Sequence, residues 1–223
     1  MHILAIHNTK NTVPRHQHDA DGAFLPESFN FCKYRQGQGD VVQRIGFDNM
    51  APSDVKRAQF FSIIENADPF DAFAYFGHGL RTSLSSAGID MAHRRHLCDL
   101  LAKKAVSKLL YVTLFACSTG ETTTKEEEGE GGFADRLRDD LTARGFVGGW
   151  VDGHTVAAHT TQNPKVRRFL MDPADTTGGD WLVDPASAEY RKWNARLHAK
   201  WRDDPFRFRF PYLDTAAVRA ACR

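Results

Sequence analysis

Two short stretches, AFAYF at 72–76 and LLYVTLFA at 109–116, are apolar at nearly every position. Successive side chains of a strand point to opposite faces of its sheet, so a strand apolar at odd and even positions alike is buried on both. Both stretches therefore belong in the middle of a sheet. Between them Leu97, Leu101 and Ala105 recur at helical spacing, which predicts a helix over 91–106.

The rest of the chain extends the same alternation. HILAIH (2–7) and VVQRIGF (41–47) read as strands, with an irregular segment rich in polar residues, Gly and His over 8–40. A helix opens at Pro52 and Ser53 and runs through about Ala67, with Val55, Ala58, Phe61 and Ile64 on one stripe and Ser53 as its N-cap. TTTKEEEGEGG (122–132) has no apolar residue and reads as an exposed loop. A further helix follows it, with Phe133, Leu137 and Leu141 on one side and Gly145 as its stop. FVGGWV (146–151) and HTVAAHT (154–160) read as strands joined by an Asp152-Gly153 turn, and 172–186 as a long surface connection. Near the end, Tyr190, Trp193, Leu197 and Trp201 mark an amphipathic helix and FRFRF (206–210) a half-exposed strand.

Strands alternating with helices, and buried on both faces, predict an α/β fold: a mostly parallel central sheet with helices on both faces. Its 223 residues, 42% hydrophobic with 16 Phe and 4 Trp, supply the core of a single domain spanning 1–223. Its core ends at about residue 170, and 171–223 form a C-terminal extension packed on it. A net charge of +1 gives no electrostatic case for nucleic acid or an anionic membrane as partner. No run approaches the ~18 apolar residues of a spanning helix, and MHILAIHNTK lacks the basic start and cleavage site of an export signal. The four cysteines (32, 98, 117, 222) are scattered with no C-x-x-C pair. Reduced thiols and a cytoplasmic location are the expectation.

Each central stretch ends on a reactive side chain: AYFGHGL places His78 between Gly77 and Gly79, and LFACSTG places Cys117 before Ser118, Thr119 and Gly120. Ligands of a parallel sheet bind beyond the carboxyl ends of its strands, and one right-handed helical crossover sets the two strands side by side or one apart. The histidine and the cysteine can therefore meet at one rim. A thiolate there attacks a carbonyl carbon, while the imidazole takes the thiol proton or gives one to the leaving amine. The amides near Gly79 and Cys117 are natural donors to the developing oxyanion.

The order "apolar strand, His-Gly, helix, apolar strand, Ala-Cys" resembles the caspase-like cysteine peptidases, which include caspases, metacaspases, gingipains, clostripain, legumain and bacterial caspase-like domains. AYFGHG and LFACSTG carry the resemblance, which covers roughly residues 2 to 170. It implies a three-layer caspase-like sandwich and a cysteine endopeptidase working through a thioester, with Cys117 as nucleophile and His78 as general acid/base. It also implies the Gly79 and Cys117 amides as oxyanion hole. A polypeptide would be the substrate, lying extended as an added strand, with a regulatory protein as a further partner. No cofactor is implied, although some members are triggered by calcium. Phe115-Ala116 stands where many relatives have Asp-x-Cys, which resembles the legumain and clostripain side of the group. The alternatives are a silent binding or scaffold module on the same fold, and a hydrolase of small amides using the same pair.

Other polar residues carry weaker readings. Asp152 is a substrate-binding candidate for Arg or Lys, with Arg167 and Arg168 as counterparts for an acidic side chain. His154 and His159 flank a strand at opposite parity, so only one can face the cleft; His159 is a second substrate-binding candidate. RHQHDADG (15–22) and His7 match neither zinc spacings nor the calcium loop, so no metal is expected. His93 and His96 belong to a basic helix face, and Lys125 in the acidic loop is a processing point only by analogy with caspases.

Overall fold

Among the described residues of the computed structural model (1–9, 25–123, 130–156, 164–175 and 177–199), one sheet has seven strands. In chain order these are β1 (His2–Asn8), β2 (Val41–Phe47), β3 (Ala72–Phe76), β6 (Tyr111–Phe115), β7 (Trp150–His154), β8 (Val166–Leu170) and β9 (Asp180–Trp181). Across the sheet the order is β2-β1-β3-β6-β7-β8-β9. The first five are parallel, and β8 and β9 join antiparallel at one edge. A two-stranded hairpin, β4 (Ser83–Leu84) with β5 (Ile89–Asp90), lies between β3 and the next helix.

The helices are α1 (Leu25–Gly37), α2 (Ser53–Asn66), α3 (Arg94–Lys104), α4 (Phe133–Thr142) and α5 (Ala188–Ala199). On one face Leu4, Ile6, Phe73, Tyr75, Val112, Leu114 and Val151 of the sheet pack with Phe60 and Ile64 of α2, Leu97 and Leu101 of α3, and Phe133, Leu137 and Leu141 of α4. On the other face Ala5, Ala74, Phe76 and Phe115 pack with Phe31 and Cys32 of α1. The predicted α/β sandwich is thus present, with β3 and β6 as its buried centre. At about 25 cal/mol per Å² of apolar surface, each fully buried Phe or Leu of this double-sided core contributes about 1.5–3 kcal/mol. No helix among the described residues is long and apolar enough to cross a membrane.

Several elements differ from the sequence reading. The segment over 8–40 holds α1, which the apolar pattern concealed because Glu27, Ser28 and Asn30 are among its buried residues. Ser53 is the first helical residue rather than the N-cap: Pro52 takes that place at φ −49° and ψ 150°, and no side chain caps the helix. Proline fits there because its fixed φ suits the entry and its missing N–H is one the helix start leaves unpaired anyway. Asp152 and Gly153 lie inside β7, not in a hairpin turn, and the antiparallel partner is β8, at 166–170. The stretch 172–186 contains β9. The helix of the aromatic stripe is α5, whose Tyr190 meets Trp181 of β9 edge-on at 6.3 Å; FRFRF lies outside the described residues.

Candidate active site

β3 and β6 are direct parallel neighbours, and their last residues, Phe76 and Phe115, are paired across the ladder. Their rings stack at 4.5 Å with 10° between planes, and Phe31 of α1 packs on both at 5.5 Å. His78 and Cys117 each stand two residues past that pair. Neighbouring strands run about 4.8 Å apart, so the two segments leave the sheet side by side on its carboxyl rim. Both side chains are half-buried, at the surface of the fold rather than within it.

Beyond the strands the two turns touch. A Cβ placed on Gly79 would fall 2.8 Å from the Ala116 Cβ, 2.8 Å from the Thr119 methyl and 2.9 Å from the Cys117 carbonyl oxygen. Any larger residue would push the histidine turn off the cysteine turn. The Gly79 N–H donates to no backbone carbonyl among the described residues. Farther out, Arg81 of the first turn and Glu121 of the second form an ion pair through Nε and Oε2, and Glu121 also accepts from the Ser118 hydroxyl at 3.1 Å.

Ser118 is the one described non-glycine residue at positive φ, 58°. That conformation costs of order 1–2 kcal/mol and persists only where its surroundings hold it. Here they do. The Gly120 N–H donates to the His154 carbonyl at 2.8 Å, the Ala134 N–H of α4 to Thr119 at 2.9 Å, and the Thr119 hydroxyl to Ala116 at 3.3 Å. A Cβ on Gly120 would meet the Gly153 carbonyl oxygen at 2.4 Å, so the turn is pressed against β7. The result is a sharp reversal directly after Cys117.

The histidine turn is held by neutral groups. The Ser86 hydroxyl accepts from the His78 N–H at 2.9 Å and from Asn8 Nδ2 at 2.8 Å, and the Ser86 N–H returns to the His78 carbonyl at 3.3 Å. The Tyr75 hydroxyl donates to the same carbonyl at 3.2 Å. Burial holds that phenol far above its usual range, against hydrogen bonds with Ser86 and the Ala87 backbone that lower it; negative charge at Cys117 adds a smaller upward push. Gly77 is required here, since a Cβ would fall 2.3 Å from the Tyr75 hydroxyl oxygen.

The remaining candidates scatter. Asp152 is 5% exposed and its two carboxylate oxygens take Nε and Nη2 of Arg168, each at 2.9 Å. Arg168 in turn lies 3.8 Å over the Trp150 ring. Arg167 donates to the carbonyls of Gly178 and Gly179 at 3.2 and 2.7 Å and covers Trp181. Receiving a substrate charge would require breaking these contacts. His154 ends β7 against the edge of Phe115 at 5.8 Å, whereas His159, RHQHDADG and Lys125 lie outside the described residues. His7 is buried with Nδ1 2.9 Å from the Asn8 carbonyl oxygen, and burial, with a smaller push from Arg44, lowers it to about 4 despite that bond. His93 pairs with Asp90 at 2.7 Å, and His96 packs on Phe61. No group of three or more His, Cys, Asp or Glu able to hold a metal gathers among the described residues.

The thiols divide cleanly. Cys32 and Cys98 are buried, and burial pushes each up to about 12. Cys117 is half-exposed beside the histidine turn. Ser86, Asn8 and Tyr75 are the residues that sequence reasoning missed, since a hydroxyl in SLSSAG looks like any solvated loop serine. Set against known protein families and against curated proteins, the chain finds no match in either.

Proposed function

We propose that the chain is a cysteine peptidase of the caspase-like kind. The observation that carries this reading is the shared register of β3 and β6, which delivers His78 and Cys117 to one rim with Gly79 packed on the Cys117 carbonyl. In the proposed reaction the Cys117 sulfur, its proton taken up by His78, attacks the peptide carbonyl carbon and a C–S bond forms. Charge gathers on the carbonyl oxygen, where the Gly79 and Cys117 amides are the donors. His78 then gives the proton to the leaving nitrogen, the C–N bond breaks and a thioester remains. Water, deprotonated by His78, attacks the thioester carbonyl; the C–S bond breaks, the acid leaves, and His78 returns the proton to the Cys117 sulfur.

The strained reversal at Ser118 supports this assignment, because it turns the chain away and leaves the sulfur at the surface. A cytoplasmic setting belongs to the same proposal: among the described residues Cys32, Cys98 and Cys117 form no disulfide.

The experiment is alkylation with an iodoacetamide probe, followed by identification of the labelled residues, beside a peptide-library digest. Cys117 should label at least tenfold faster than the buried Cys32 and Cys98, His78→Ala should slow Cys117 itself at least tenfold near neutral pH, and Cys117→Ala should cleave nothing. A Cys117 labelling rate that ignores His78 would overturn the reading. Stoichiometric capture of a peptide without cleavage would favour a scaffold, and turnover of single amino-acid amides alone a small-amide hydrolase.

A further inference from the structure

We infer that Ser86 is a positioning residue for His78, acting with Tyr75 and Asn8; the inference rests on the Cys-His reading above. Ser86 and Tyr75 between them hold both polar atoms of the histidine main chain, and Asn8 holds Ser86. The Ser86 hydroxyl accepts the His78 N–H at 2.9 Å, while the Ser86 N–H and the Tyr75 hydroxyl both reach the His78 carbonyl, at 3.3 and 3.2 Å. With its N–H and C=O both held, the peptide on either side of His78 cannot rotate, and the direction of its Cα–Cβ bond is set. The turn contributes little stiffness of its own, since glycines flank the histidine on both sides.

Both acceptor sites of the Ser86 hydroxyl are filled. A hydroxyl offers one donor and two acceptor sites. Ser86 accepts from His78 N–H and from Asn8 Nδ2. Tyr75 Oη then donates to His78. Ser86 is 3% exposed, Asn8 1% and Tyr75 0%, so water does not compete for these bonds. The anchors also come from different parts of the fold: Asn8 ends β1, Tyr75 belongs to β3, and Ser86 sits in the 3₁₀ turn between β4 and β5. The otherwise isolated hairpin therefore has a reason to be there, as it carries the serine to the rim. No member of the network carries a formal charge.

The test follows the Cys117 alkylation rate from acid to alkaline pH, with kcat and KM on a cleaved peptide and the melting temperature as a fold control. In wild type, reactivity should persist well below the pKa of an ordinary thiol, and His78→Ala should remove that acid-side reactivity. Ser86→Ala should lower it, and kcat, about 10- to 100-fold with KM within about twofold, the scale expected when a catalytic group is misplaced by about 1 Å. Above pH 10 its alkylation rate should match wild type, because the thiolate then forms without help from His78. Tyr75→Phe, which removes a single oxygen, should show the same pattern more weakly and stands in if Ser86→Ala does not fold. A folded Ser86→Ala or Tyr75→Phe protein with the wild-type acid-side rate and kcat would overturn the positioning role while leaving the Cys-His reading intact. An equal loss at acid and alkaline pH would overturn it too, as the signature of general loosening. A wild-type profile like that of an ordinary thiol, indifferent to His78, would overturn both.

Discussion

The two sides of the cysteine turn are held by opposite kinds of chemistry. On the β1–β3 side the groups that hold the histidine turn are neutral: Asn8, Ser86 and Tyr75 are joined by hydrogen bonds to one another or to His78, and His7 nearby is buried in its uncharged form. On the β7–β9 side they are ion pairs. Arg168 holds Asp152, and Arg138 of α4, 2% exposed, holds Asp135 at 2.7 Å while also donating to the carbonyls of Leu170 and Thr177. The difference follows from what each side must fix. Short hydrogen bonds between dipoles fix a main chain at close range, whereas charges reach across gaps and bind the antiparallel edge and its loops to α4.

The largest effect should come from the charged side. Arg138→Met strands the Asp135 carboxylate in the core and orphans two carbonyls, for a loss of about 3–5 kcal/mol in urea unfolding. The double variant Asp135→Leu/Arg138→Met should recover much of that loss, because the cost lies in the unpaired charge rather than in the missing attraction. If the single and double variants are equally unstable, the pair is not what holds this side together.

The contrast also explains what could be read from the sequence. β3 and β6 are legible because nothing but burial on two faces accounts for AFAYF and YVTLF, and their common length makes the ends of both strands legible too. The charged side hid itself. VRRFL gives no strand signal, since its two arginines are occupied by Asp152 and by carbonyls that the sequence does not connect to them. Asp152-Gly153 carries the letters of a hairpin turn, but Gly153 is there for close packing: a Cβ would lie 2.8 Å from Ala134 Cβ and 2.9 Å from the Gly120 nitrogen. The neutral side was no easier. A serine that anchors a turn and a serine that faces water are the same letter, and only the fold of the β4–β5 hairpin distinguishes them.

Titration separates the two sides by sign. Burial lowers His7 from 6.5 to about 4, so the folded state excludes a proton that the unfolded state binds. Stability from this group is complete above pH 6.5 and declines as pH falls to 4, by about 3 kcal/mol in all. Asp135 runs the other way. Burial raises it from 3.8 to about 6 against the Gly131 N–H and Arg138, which lower it, so its contribution grows as pH falls from 6 to 4. That gain is about 2–3 kcal/mol. The two slopes offset one another in wild type. In urea unfolding across this window, His7→Gln should gain on wild type as the solution is acidified, and Asp135→Asn should lose ground. Two variants that keep a constant offset from wild type would show that neither group drives the acid response.

The smallest effect is the one that tests whether the division holds at the rim itself. Arg81 and Glu121 form the charged contact that spans the histidine and cysteine turns, and their side chains are 63% and 26% exposed. A pair so open to water contributes under about 1 kcal/mol and weakens further in salt. Arg81→Met should therefore change unfolding by less than that amount and peptide turnover by less than about threefold, with the same small change produced in wild type by about 1 M NaCl. Gly79 against the Cys117 carbonyl, and the Ser86 bonds to His78, already fix the spacing of the turns without it. A tenfold loss of turnover in Arg81→Met, undiminished by salt, would mean that charge as well as dipoles sets the geometry of this rim, and the two sides would no longer be distinct where it matters most.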